Sequence, residues 1–174
     1  AQTVVDGLMQ QLLIFFIRIC LFREDPADSP KAPAFLATVV VIYALLSFTI
    51  LMLGDGMAPS SLVAAIALGL GIEAGATIAL LRFRNVVQRF IPTMSALLAS
   101  SALLNLVMMP VTMIAELLGT AMLALVGWVA LFWWVAVAGF ILQRAANLSF
   151  GQAAAFAFTI QLVYLATLGS LTAS

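Results

Sequence analysis

The chain has 174 residues, of which 65% are hydrophobic and 8% charged, and its seven Lys or Arg balance its seven Asp or Glu. Soluble domains are about 45–50% apolar and about 25% charged, so this composition excludes an ordinary water-soluble domain. With no His and a single Cys, the chain has neither a disulfide framework nor a zinc site of the usual ligand spacing. Its zero net charge indicates no nucleic-acid partner.

Residues 1–33 predict a cytoplasmic-side segment made of a surface helix and a Pro-rich linker. At 100° per residue, the polar residues of segment 3–22 gather on about half of the helix circumference: Thr3, Asp6, Gly7, Gln10, Gln11 and Arg18. The opposite side carries Val5, Leu8, Leu12, Phe15, Phe16 and Ile19. This pattern favours an amphipathic helix in the membrane interface, with a sixth membrane span as the alternative. The prolines of segment 23–33 then predict a linker.

Five long apolar stretches follow, each of about 20 residues, which is the length that crosses the hydrocarbon core. They cover residues 34–53, 61–81, 92–113, 121–142 and 151–171. The links between them are short, including a turn cluster at 54–59, and short links favour antiparallel neighbours. The sequence therefore predicts an all-α, polytopic transmembrane bundle of five spans in residues 34–174, preceded by the interfacial helix.

The basic residues fall on one side of this five-span arrangement. They precede the first span or lie in the links after the second and fourth spans: Arg18, Arg23, Lys31, Arg82, Arg84, Arg89 and Arg144. The opposite links carry no Lys or Arg. Because cytoplasmic loops are enriched in Lys and Arg, we expect a cytoplasmic N-terminus and an external C-terminus. The predicted location is the inner membrane of a bacterium.

Three polar side chains lie near the middle of predicted spans: Glu73 in the second, Asn105 in the third and Gln161 in the fifth. An ionised carboxylate at that depth costs several kcal/mol, so such a residue needs an explanation. Two interpretations of Glu73 are open. It is either a protonatable group for proton or cation coupling, or a protonated carboxyl hydrogen-bonded to a neighbouring helix, with Asn105 and Gln161 as candidate partners.

Small residues recur at every fourth position of the second span: Ala67, Gly71, Gly75 and Ala79. This spacing, which includes a GxxxG pair, lets two helices approach closely. Glu73 lies about 200° around the helix from Gly71, and therefore on the opposite face. The pattern predicts either that the second span is the central helix of the chain's own bundle, or that one of its faces docks a partner subunit.

The link between the second and third spans is basic and carries Arg82, Arg84 and Arg89. Guanidinium groups beside a membrane bind anionic lipid headgroups, so these three residues are candidate headgroup ligands. Their simpler role is to fix the topology of the chain.

The sequence lacks the residue patterns of a membrane-embedded enzyme. A serine protease needs a base beside its serine, and the chain has no His, while its single Lys31 lies in the linker. No Asp lies within a predicted span, as an aspartyl protease would require. We therefore expect no enzymatic activity, no cofactor and no bound metal.

The stretch before the first span reads Phe22-Arg23-Glu24-Asp25-Pro26. With the cytoplasmic N-terminal region and the five-span bundle, it resembles small bacterial Yip1-type membrane proteins, and the resemblance implies a non-catalytic role in membrane trafficking or organisation. The leading prediction is a non-enzymatic accessory, assembly or scaffold subunit of a larger membrane complex. Its partners would be membrane lipids and other membrane subunits or a second copy. The alternative is a small transporter or proton-coupled channel that uses Glu73.

Overall fold

The computed structural model describes residues 2–54 and 58–172, with side chains for residues 10–26, 28–52 and 58–169. In these ranges the regular structure is helical, with six α-helices: α1 (Gln2–Cys20), α2 (Pro33–Gly54), α3 (Pro59–Phe83), α4 (Phe90–Leu118), α5 (Thr120–Ala146) and α6 (Phe150–Thr172). Helices α2 to α6 are each long and apolar enough to cross a membrane. The predicted all-α bundle of five spans is thus confirmed, and the composition of these helices indicates an integral membrane protein.

Half of the predicted turn at 54–59, residues 55–57, lies outside the described residues. Two other links are very short. Gly119 alone joins α4 to α5, at a φ of 107° that a residue with a side chain rarely adopts. Between α5 and α6, the backbone of Asn147 adopts the left-handed helical conformation. Ser149 and Gln152 then form a capping box, in which the backbone N–H of each residue donates to the side-chain oxygen of the other. These caps extend the helices beyond the predicted spans.

Helix α4 is the central helix of the bundle. It contacts α1, α2, α3 and α5, and its residues 92–98 are all buried. This corrects the expectation that the second span, α3, takes the central position. The physical reason is that α3 turns one face inward and leaves the other uncovered, whereas the N-terminal half of α4 is covered on every side.

The packed core fills one half of the bundle. The buried residues of α5 begin at Val137, and those of α6 are Ala153, Ala157 and Ile160. They lie beside the buried N-terminal half of α4, at the end where α3 and α5 end and α4 and α6 begin. We call this the basic end, because Arg84, Arg89 and Arg144 lie there.

The last turn of α1 belongs to this core. Phe16, Ile19 and Cys20 are buried, and the indole N–H of Trp133 donates to the backbone carbonyl of Cys20 at 3.3 Å. Gln10, Gln11 and Arg18 are exposed as predicted, but Leu13, Ile14 and Ile17 are exposed as well, so the uncovered side of α1 is mixed and not wholly polar. The side chains of Thr3, Asp6 and Gly7, which were predicted on the polar side, lie outside the described side chains.

Candidate functional site

A cavity of about 470 Å³ lies between the five spans, beyond the packed core and away from the basic end. Each span contributes polar, aromatic or glycine positions to its wall: Tyr43 and Ser47 from α2, Gly69 and Glu73 from α3, Ser101 and Asn105 from α4, Gly127 and Trp134 from α5, and Gln161 and Tyr164 from α6. A cavity of this size is in the range of about 300–1,000 Å³ that is typical of small-molecule sites.

Glu73 is the buried carboxyl of this cavity. The inward face of α3 is made of residues three or four positions apart, which follows the helical period: Leu62, Ala65, Ile66, Glu73, Thr77 and Leu81. Glu73 is only 8% exposed, and its Oε1 has no hydrogen-bond partner among the described residues. A buried polar atom without a partner costs stability, so Oε1 calls for an explanation, as do the hydroxyls of Ser47 and Thr77, which are also unpartnered among the described residues.

The structure brings the three predicted intramembrane polar residues together. Asn105 and Gln161 are half-buried and line the same cavity as Glu73. The predicted hydrogen bond from one of these amides to Glu73 is not formed at Oε1, which has no partner among the described residues. Glu73, Asn105 and Gln161, which are far apart in the sequence, therefore line one cavity, and neither amide donates a hydrogen bond to Oε1 of Glu73.

Aromatic and hydroxyl groups complete the wall, and the sequence had indicated no role for Tyr43, Ser47 or Tyr164. The indole N–H of Trp134 donates to Ser101 Oγ at 2.8 Å, which fixes the ring against α4. Tyr43 and Tyr164 line the same cavity as Glu73. A Cβ on Gly69 would lie 2.9 Å from the Tyr164 ring, so the absence of a side chain at Gly69 leaves room for that ring. One signal was readable, namely the polar residues Tyr43 and Ser47 one turn apart in α2.

The small-residue stripe of α3 faces outward. Ala67, Gly71, Gly75 and Ala79 are all exposed, and no atom lies within 4 Å of a Cβ built on Gly71 or Gly75. The stripe therefore packs against no other helix within the described parts of the chain, and this corrects its interpretation as packing within the chain's own bundle. Its position opposite Glu73 agrees with the helical period.

Two of the three predicted headgroup ligands, Arg84 and Arg89, hydrogen-bond to backbone carbonyls at the C-terminal end of α5. Arg84 donates from Nε to the carbonyl of Ala146 at 3.0 Å and from Nη2 to that of Asn147 at 3.1 Å. Arg89 donates from Nη1 to the carbonyls of Arg144 at 3.3 Å and Ala145 at 3.0 Å. Guanidinium groups in this position satisfy the last carbonyls of α5 and complement its dipole. Arg82 is exposed. Contact of these arginines with lipid headgroups stays a prediction.

The linker is held to the same end by weak ion pairs. Arg144 lies 3.9 Å from Asp25, and Arg18 lies 2.9 Å from Glu24. All four side chains are at least one-third exposed, so each pair contributes little stability in water. The pairs orient the segment that joins α1 to α2.

Within the described residues, no group of three or more His, Cys, Asp or Glu is arranged to hold a metal ion. Comparison of the chain with family models, curated proteins and solved structures finds no match. The resemblance to Yip1-type proteins therefore stays a prediction. The residues that line the cavity provide the evidence on function.

Proposed function

We propose that this protein is a non-enzymatic small transporter or proton-coupled channel, in which Glu73 is the protonatable group. The observation that carries the proposal is the Glu73 carboxyl, which is buried beside the central cavity and whose Oε1 has no hydrogen-bond partner among the described residues. A carboxyl that only joined two helices would be expected to hydrogen-bond across them, because that bond is what stabilises the contact. Intramembrane ionisable groups that face a cavity are typical of ion and proton pathways.

The packing of the bundle supports a pathway that is closed at one end. The core fills the half near the basic end, where Leu97, Ile141 and Leu142 are at most 3% exposed. The cavity occupies the region beyond this core. A carrier requires such a barrier, since a solute in an intramembrane cavity must reach one side of the membrane at a time.

The distribution of basic residues supports an orientation for this pathway. By the positive-inside rule, the basic end faces the cytoplasm, with the N-terminus inside and the C-terminus outside. In a bacterial inner membrane, the cavity would then lie toward the outer surface, and the packed core would separate it from the cytoplasm.

Proton movement into reconstituted vesicles tests the proposal. Vesicles that contain the protein and the pH-sensitive dye pyranine are given a potassium diffusion potential, and internal acidification is recorded. We expect faster acidification with wild-type protein than with Glu73→Gln or with protein-free vesicles. Glu116→Gln is the matched control, because Glu116 is an exposed carboxyl near the end of α4 and should conduct like wild type. Equal rates for wild type and Glu73→Gln would overturn the proposal.

A second candidate function is an accessory, assembly or scaffold subunit of a larger membrane complex, and one observation favours it. The small-residue stripe of α3 is exposed and leaves room for another helix at Gly71 and Gly75. Stripes of this spacing pack helices in membranes. Native mass spectrometry after gentle detergent extraction tests this function. Gly75→Leu should remove an associated chain, whereas Ala124→Leu on the exposed side of α5 should retain it. A lone monomer before substitution would contradict the subunit function.

A further inference from the structure

We infer that the cavity binds a small protonated amine, whose ammonium group hydrogen-bonds to Glu73. This inference rests on the proposed function and adds the chemical class of the solute. It is carried by the charges, the hydrogen-bonding groups and the volume of the cavity, each of which narrows the class of ligand.

The charge of the wall selects against anions. Glu73 is the acidic residue among the described residues that line the cavity, and these include no Lys or Arg. The nearest basic residue along α3 is Arg82, nine positions away, which corresponds to about 13 Å of helix. An ionised carboxylate in a surrounding of low dielectric strongly attracts a cation and repels an anion. The site is therefore built for a ligand with positive charge.

The hydrogen-bonding groups favour a cation with N–H donors. Oε1 of Glu73 is a buried acceptor without a partner among the described residues, and the side-chain carbonyls of Asn105 and Gln161 are further acceptors of residues that line the same cavity. An ammonium group carries up to three donors, so it can satisfy Oε1 of Glu73 and donate to other acceptors at the same time. A quaternary ammonium ion cannot do this.

The rings and the volume favour an organic ion over an inorganic one. Trp134, Tyr43 and Tyr164 line the cavity, and aromatic rings attract ammonium groups through cation–π interactions while contacting a carbon skeleton. A dehydrated metal ion needs several close oxygen ligands, whereas a volume of about 470 Å³ is suited to an organic molecule of several heavy atoms.

Binding of four probes to the full chain in lipid nanodiscs tests the inference. Butylammonium, tetramethylammonium, potassium and butyrate are titrated separately at constant ionic strength, and the melting temperature and the heat of binding are measured. We expect saturable binding of butylammonium, at least tenfold weaker binding of tetramethylammonium, and no saturable binding of potassium or butyrate. Butyrate binding as tight as that of butylammonium would overturn the inference.

Two variants separate the site from non-specific partitioning of the amine into lipid. Glu73→Gln should weaken butylammonium binding at least tenfold, and Glu116→Gln should leave it unchanged. Binding that is equally tight in Glu73→Gln would also overturn the inference. Amine binding without proton movement would leave the inference standing and remove the proposed transport function. Proton movement that depends on Glu73, without amine binding, would support the proposed transport function and overturn the inference that the cavity binds an amine.

Discussion

A Cβ atom placed on Gly139 would lie 2.9 Å from Cα of Ala154, so α5 and α6 cross in direct backbone contact. This is closer than van der Waals contact allows, and the nearest atom belongs to the backbone of α6. The crossing lies at the edge of the packed core, where α5 becomes buried. Residues of both helices farther from the basic end, among them Trp134 and Gln161, line the cavity.

Gly139→Ala should therefore destabilise the fold by about 1–3 kcal/mol, the usual cost of overpacking a core. The matched control is Gly75→Ala, because a Cβ there meets nothing within 4 Å. Thermal unfolding of both variants in the same detergent, followed by circular dichroism, measures the difference. Equal melting temperatures for the two variants would contradict the close crossing.

Arg84→Ala removes two hydrogen bonds, one to the carbonyl of Ala146 at the end of α5 and one to the carbonyl of Asn147, which follows it. Since the side chain is partly exposed and water can replace it, we expect a loss of only about 1 kcal/mol in the free energy of unfolding. Arg82→Ala, two residues away and exposed, should change stability by less than about 0.5 kcal/mol. Hydrogen exchange of the amides in the last turns of α5 should rise in the first variant alone. If both variants behaved alike, the cap would not contribute to stability.

The spans of this chain were predictable because, in lipid, backbone N–H and C=O groups must hydrogen-bond to one another. Without water to satisfy peptide groups, a long apolar run must form a helix, and the boundaries follow from composition. The position of Glu73 opposite Gly71 was also predictable, because it depends only on the 100° rotation per residue. These features are local in sequence.

The central position of α4 was not predictable from the sequence. In a membrane, the side chains of α4 that face other helices are about as apolar as those that would face lipid. Hydrophobicity therefore does not distinguish a central helix from a peripheral one. The cap on α5 was missed for another reason. Arg84 and Ala146 are 62 residues apart, and only the folded chain brings the basic loop to the end of that helix. The wall of the cavity likewise needs all five spans.

Cys20 should react slowly with thiol reagents in the folded protein. Burial in the core raises the pKa of its thiol, so little of the nucleophilic thiolate exists near neutral pH. Labelling with iodoacetamide, followed by mass spectrometry, should remain incomplete at pH 7 and should accelerate as the pH rises toward and beyond the ordinary thiol range. The denatured chain provides the control, since it should label at the rate of a free thiol. Fast labelling at pH 7 without unfolding would show that α1 leaves the core.

The last prediction concerns the effect of Glu73 on stability. A carboxyl that held α3 to a neighbouring helix would lose a hydrogen bond in Glu73→Leu, with a cost of about 1–2 kcal/mol. Here Oε1 has no described partner, so its replacement by an apolar group of similar size removes a buried unsatisfied acceptor. We therefore expect Glu73→Leu to melt at the same temperature as wild type or higher, and Glu73→Gln to melt close to wild type. Both variants should lose proton movement in vesicles. This combination is the one expected when a group is kept for function at the expense of stability. A lower melting temperature for Glu73→Leu, with Glu73→Gln stable and fully active, would assign Glu73 to the structure of the bundle.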